Sequence, residues 1–209
     1  MNIFYNILDK ERIELLPVLR VFKNGFYLAG GTALALQIGH RDSMDFDFFK
    51  EGDIDTGEVF VSVTKAFNGR EILKVQEDKN TLAVVIDDKI KLSFFDYGYK
   101  LIDEVVDEGN LILASVADIG CMKLSSITGR ASNKDYIDLY FILKIIKLDD
   151  LLAKASVKLP DLDKNLILKS LVYFDDINVE PIMFKNNNEI GLDDIKIFMK
   201  KTVRELVGL

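Results

Sequence analysis

The stretch Gly30-Gly31-Thr32-Ala33-Leu34-Ala35-Leu36-Gln37-Ile38-Gly39-His40-Arg41-Asp42-Ser43-Met44-Asp45-Phe46-Asp47-Phe48-Phe49 decides how this chain is read. The apolar run Phe26–Ala29 before it predicts a short strand. The glycine pair then turns the chain into a helix over Thr32–Ile38, closed by Gly39. Such a junction aims unsatisfied backbone N–H groups and the positive helix end at one point, and glycine lets an anion come close to the backbone. Thr32 adds a hydroxyl donor. The same sequence also serves as a plain tight turn with no ligand.

The second half of the stretch predicts a strand over Met44–Phe49. On a strand, Asp45 and Asp47 point to one face with Cα atoms about 6.6–7 Å apart. Carboxylates that close repel each other unless a cation lies between them. Hard oxygen ligands suit magnesium, which one or two carboxylates hold together with substrate phosphates. Phe46, Phe48 and Phe49 make the strand at least half buried, where an acid without a ligand is costly. The alternative is that both acids face solvent on a one-sided strand. In the intervening loop, Arg41 suits either a phosphate or a pairing with Asp42, and His40 reads as structural.

Working outward, helices are expected over Leu15–Phe22 and Val59–Phe67, and strands over Ile72–Val75, Thr81–Ile86 and Lys89–Phe95. From Ala114 the pattern becomes helical. Ser115-Val116-Ala117-Asp118 has the form of a capping box and opens a helix to Thr128. Ser132-Asn133-Lys134-Asp135 repeats the form before an apolar helix to Lys147. On that reading Asp135 is a capping acid. Asp138 either pairs with Lys134 at i+4 or lines a cleft. Lys123 and Arg130, seven apart, lie near one helix face as a solvated surface or a phosphate track. Further helices follow near Leu151, Leu166 and Ile195. The organisation is α+β: residues 1–110 form a mixed core and residues 111–209 a helical domain.

Composition limits the function. The net charge is −7, against indiscriminate nucleic-acid binding. Residues 1–110 carry 13 basic and 20 acidic side chains and residues 111–209 carry 14 of each, so a basic face is available only in the second half. One histidine excludes a multi-histidine zinc site. The single cysteine, Cys121, excludes an internal disulfide, fits a reducing cytoplasm and reads as a buried apolar residue. No membrane span is expected.

Gly30-Gly31-Thr32, the helix, and His40-Arg41-x-Ser43-x-Asp45-x-Asp47-x-Phe49 together resemble the AbiEii/AbiGii toxin branch of the polymerase-β-like nucleotidyltransferases. Lys123, Arg130 and the run Lys134–Tyr140 are similar to that family's later motifs, in the expected order. The resemblance implies a polymerase-β-like core with a small mixed sheet, followed by a helical domain that closes the cleft. It implies transfer of a nucleotidyl group from an NTP with Mg2+, in the toxin half of a bacterial abortive-infection or toxin–antitoxin pair. The expected partners are an NTP, a tRNA 3′ end as acceptor and a cognate antitoxin protein, in the cytoplasm. By the same carry-over Gly30, Gly31, Thr32, Arg41 and Ser43 would bind the nucleotide, and Asp45 and Asp47 would hold the metal. Lys123 would meet phosphate charge and Asp138 would orient a partner. The wider superfamily places a third carboxylate on a neighbouring strand; here Ser93 stands in that slot and Asp96 lies at the strand end as a turn residue. Two other readings stay open: a small-molecule nucleotidyltransferase of the antibiotic-modifying kind, and an NTP-binding or interaction module without turnover.

Overall fold

Alternating apolar residues on neighbouring strands build the core of the first half. The computed structural model describes residues 2–208. Its strands are β1 (Tyr27–Ala29), β2 (Phe46–Lys50), β3 (Ile72–Asp78), β4 (Thr81–Ile86), β5 (Ile90–Asp96), β6 (Val106–Asp107) and β7 (Ile112–Leu113), in one sheet of order β3-β4-β5-β2-β1-β7-β6. The β2/β5 and β1/β7 pairs are parallel and the rest antiparallel. On one face Phe46, Phe48, Leu82, Val84, Leu92 and Phe94 are sealed from water. Phe48 stacks on Phe94 with ring centroids 5.1 Å apart, and Phe22 and Phe26 pack edge-on or tilted against both. Period-two alternation puts Asp47, Phe49, Ser93 and Phe95 on the other face.

Helix α1 (Lys10–Leu19) begins five residues before the expected Leu15, because Asp9 caps it by accepting from the Arg12 N–H at 2.8 Å. A 3-10 turn, Arg20–Phe22, carries the chain on to β1. Helix α2 (Gly30–Ile38) follows β1 directly and ends at Gly39 in the left-handed region. Helix α3 is Thr56–Ala66. The strand expected from Met44 starts instead at Phe46. Side chains distant in sequence hold these two residues: the Met44 carbonyl accepts from Arg12 Nε at 2.7 Å, and the Asp45 carbonyl accepts from the Thr32 hydroxyl. The short β6 and β7 have too few residues to show a period in sequence.

The chain divides into two units. The first runs to Lys100 and includes Val105–Ala114; the second comprises Leu101–Glu104 and the chain from Ser115. The second contains α4 (Val116–Gly129), α5 (Asn133–Leu143), α6 (Leu148–Lys158), α7 (Lys164–Val172) and α8 (Leu192–Val207). The first capping box forms as expected, Ser115 Oγ accepting from the Asp118 N–H at 2.9 Å. The buried Asp118 carboxylate also takes the Ile102 and Asp103 N–H groups, the Ser115 hydroxyl and Lys158 Nζ. It thereby ties the Leu101–Glu104 segment to α4 and α6. Among the described residues no helix is long and apolar enough to cross a membrane.

Arg12 is the hub of the first unit's polar contacts. Besides Met44 it donates to the Lys89 carbonyl at 2.8 Å and pairs with Asp9. Replacing it leaves two carbonyls short of their donor. Arg12→Met is expected to lower the unfolding free energy by about 2–4 kcal/mol in urea titration. An unchanged midpoint contradicts this account of the Asp45 loop.

Candidate active site

The site is built from the corner between β1 and α2. Gly30 has φ +70°, which favours glycine, and Asp47 Oδ2 stands 3.0 Å from where a Gly30 Cβ would be. That approach follows from register, since Ala29 pairs with Asp47 across β1 and β2. At Gly31 a Cβ would lie 2.5 Å from Arg41 Nη2 and 3.1 Å from Ser43 Oγ. The buried Arg41 guanidinium thus rests against the first turn of α2, with its Nη1 donating to the Asp42 carbonyl at 2.8 Å. The α2 cap, Ala29, has no capping side chain, and no acid lies in the first turn. The leading N–H groups of α2 thus lie beside the Arg41 guanidinium, and helix N-termini of this kind favour anions.

Thr32 has a different part from the one its hydroxyl suggested. It is 1% exposed, its Oγ1 lies 2.8 Å from Ser43 Oγ, and it donates to the Asp45 carbonyl. The hydroxyl is spent on holding the 43–45 loop against α2. His40 is fully buried, as a structural residue would be.

Asp45 and Asp47 do not share a regular strand. Asp45 precedes β2 and is exposed; Asp47 is the second residue of β2 and half-buried. Ser93 is in direct register with Asp47 on the adjacent parallel strand, and it is buried. Asp96 is used elsewhere: its carboxylate accepts from the Gly52 N–H at 3.2 Å and Asn80 Nδ2 at 3.1 Å, which closes the loops at that end of the sheet. Lys91, exposed on the Asp47 face, is a basic residue at the Asp45 end that the motif alone does not single out.

In the second unit, Lys123, Asp135 and Asp138 come together. Lys123 Nζ lies 2.6 Å from Asp135 Oδ1 and 2.7 Å from Asp138 Oδ2, and all three side chains are at least nine-tenths buried. Two expectations change. Asp135 is not a capping acid: its carboxylate pairs with Lys123 and with Arg130 Nε at 3.2 Å, and the Ser132 side chain makes no cap bond. Asp138 does not pair with Lys134, whose ammonium meets Glu180 at 2.6 Å. Nor is Lys123 an open phosphate contact, since two carboxylates already neutralise it. Arg130, with 70% of its side chain exposed, is the basic group here that faces water. Cys121 is buried, and burial pushes its thiol up to about 12, so it is no nucleophile.

With this geometry in place, comparison with known proteins is informative. Residues 17–206 match the family model described as nucleotidyl transferase AbiEii toxin, type IV TA system. The chain belongs to the AbiEii nucleotidyltransferase toxin family. An uncharacterized protein of Aquifex aeolicus (strain VF5) is 36% identical over 206 residues, covering 94% of this chain and 95% of that one. Among solved structures, the fold is similar to MenT4, a nucleotidyltransferase toxin of Mycobacterium tuberculosis H37Rv, with TM-score 0.65, 15% identity and coverage of 94% and 82%. It is also similar to JHP933 from Helicobacter pylori, with TM-score 0.57, 17% identity and coverage of 95% and 93%.

AbiEii-family chemistry calls for a divalent metal, and the donor set here suits one particular kind of site. Among the described residues no group of three His, Cys, Asp or Glu is placed to hold a metal. Asp45 and Asp47 are oxygen donors of the kind that magnesium takes together with phosphate and water.

Two outcomes follow for this AbiEii-family site. Gly31→Ala displaces Arg41 from α2 and is expected to weaken NTP binding on the order of tenfold in calorimetry, about 1.4 kcal/mol, with the fold kept. Unaltered affinity removes Arg41 and Gly31 from the nucleotide site. Lys123→Met strands two buried carboxylates and is expected to lower stability by about 3–5 kcal/mol at neutral pH. A loss below 1 kcal/mol, by about the same measure used for exposed pairs, shows that the cluster is not buried in solution.

Proposed function

We propose that this chain transfers a nucleotidyl group from an NTP to the 3′ end of tRNA, as the toxin of a bacterial toxin–antitoxin pair. It would act in the cytoplasm, opposed by a cognate antitoxin protein. The observation that carries the transferase chemistry is the corner where Gly30, Gly31 and Arg41 meet Asp47. Family membership supports the reaction class, and the glycine corner beside Asp47 supports its place in the fold.

In this proposal the first-turn N–H groups of α2 and Arg41 bind the β- and γ-phosphates, and Ser43 braces Arg41 and Thr32. Asp45 and Asp47 would hold magnesium, which would supply charge neutralisation at the phosphates. The acceptor 3′-oxygen bonds to the α-phosphorus. The α–β phosphoanhydride bond breaks with its electrons going to pyrophosphate, and the hydroxyl proton passes to solvent. Ser93, not an acid, stands in register with Asp47, so solvent is the proton acceptor in this proposal. In the second unit Lys123 holds the Asp135 and Asp138 carboxylates in place, and Arg130 is the group available to an incoming phosphate.

The test is label transfer. The protein is incubated with magnesium, each α-labelled NTP in turn and total tRNA. Label is expected on tRNA with at least one NTP, and Asp47→Ala is expected to reduce it about 100-fold or more. Transfer that persists in Asp47→Ala removes Asp47 from the metal site. Ser93 opposite Asp47 favours one second reading, an NTP-binding module without turnover. Wild-type protein that binds NTP but labels neither tRNA nor any small acceptor supports that reading over the first.

A further inference from the structure

Beyond Asp47, the same sheet face is paved with aromatic rings. Asp47 and Ser93 are in register across β2 and β5, and two residues on so are Phe49 and Phe95. Phe49 is stacked between the buried Tyr27 at 6.0 Å and Phe95 at 5.1 Å and meets Tyr97 edge-on at 5.7 Å; Tyr97 in turn meets Tyr99 at 5.3 Å, so the open end of the row is Tyr97 and Tyr99. The row continues past the end of β5 because the Tyr97 N–H donates to the Lys50 carbonyl at 2.8 Å. These rings are not core. Phe49, Phe95 and Tyr97 are half-buried and Tyr99 is 36% exposed, whereas Phe46, Phe48 and Phe94 on the opposite face are at most 1% exposed.

Direction decides what the row would hold. β1 runs antiparallel to β2 and ends opposite Asp47, so the Gly30–Gly31 corner lies toward the Asp45 end of β2. The rings lie the other way, with the Phe49 Cα about 7 Å from that of Asp47. In phosphoryl transfer the attacking and leaving oxygens are roughly in line on opposite sides of phosphorus. With pyrophosphate leaving into the corner, the acceptor hydroxyl approaches from the ring side. Stacking on aromatic rings is the sequence-tolerant way to hold an unpaired base, because every base has a π face.

We propose that Tyr97 and Tyr99, seated against the Phe49–Phe95 stack, form a platform on which the 3′-terminal base of a single-stranded RNA acceptor stacks, setting its ribose hydroxyl before Asp47. This rests on the nucleotidyl-transfer reading and deepens it, by assigning the acceptor subsite. The platform explains how an acidic first unit takes a nucleic-acid end: through stacking at one base, with little demand for a broad basic surface.

The experiment uses the full chain and a short single-stranded RNA carrying 5′-fluorescein, followed by anisotropy. A second RNA has an abasic 3′-terminal ribose. Tyr99→Ala and Phe95→Leu are each expected to weaken binding of the first RNA roughly tenfold, within the range for loss of one base stack. The abasic end is expected to weaken wild-type binding similarly and to change little in the variants. NTP affinity by calorimetry stays as in wild type. If Phe95→Leu fails to fold, the exposed Tyr99 carries the comparison. Wild-type RNA affinity in Tyr99→Ala, or indifference to the abasic end, overturns the proposal. A loss of NTP affinity instead of RNA affinity also overturns it, by giving the rings to the incoming nucleotide. Wild-type protein that binds NTP and labels a small acceptor yet ignores RNA ends this proposal alone; failure to bind any NTP ends the nucleotidyl-transfer reading itself.

Discussion

The arrangement depends on one steric constraint: the chain must leave β1 and enter α2 directly against the Asp47 carboxylate. Pairing of Ala29 with Asp47 fixes the approach, and the positive φ at Gly30 favours glycine there. At Gly31 a side chain would displace the flexible end of Arg41. The consequence is electrostatic. Backbone N–H groups, a guanidinium and a carboxylate converge where a short helix presents its positive end. Placing so polar a group beside a sheet whose other face is sealed phenylalanine needs support. That support comes from Arg12, Thr32 and Ser43, which hold the 43–45 loop through backbone carbonyls and hydroxyls.

The second unit solves a related problem with charge alone. Lys123 lies between Asp135 and Asp138, and Lys158 lies against Asp118, all in places where an unpaired charge is costly. Each pair is completed by further donors: Arg130 at Asp135, and the Ile102 and Asp103 N–H groups at Asp118. Such networks hold because every member is satisfied. They also fix the start of α5, where Asn133 bonds reciprocally to the Glu180 backbone. The polarity of α5, odd for so apolar a helix, is explained by its partner on α4.

Much of this was legible in the sequence. The strand, glycine pair and helix were visible because each is a local signal. The α+β division was visible because hydrophobic period changes near Ala114. Period two separated Ser93 from Asp96 by face, and the family resemblance marked the Ser93 position as that of a third acid. What escaped was non-local. Nothing near Ser132 reveals that Asp135 bonds to Lys123, twelve residues away, rather than capping its own helix. The start of β2 at Phe46 is set by Arg12, thirty-two residues earlier. The aromatic row needs the β2/β5 register before Phe49 and Phe95 become neighbours, and no sequence pattern gives the register of two parallel strands so far apart.

The central claim is that the corner of Gly30, Gly31 and Arg41, with Asp45 and Asp47, binds a magnesium–triphosphate unit. Calorimetric titration of a non-hydrolysable α,β-methylene NTP, with and without magnesium, into wild-type protein and Asp47→Asn measures it directly. The account predicts binding that is strengthened by magnesium in wild type and indifferent to magnesium in Asp47→Asn. Equal magnesium dependence in both proteins, or no binding to wild type, contradicts it.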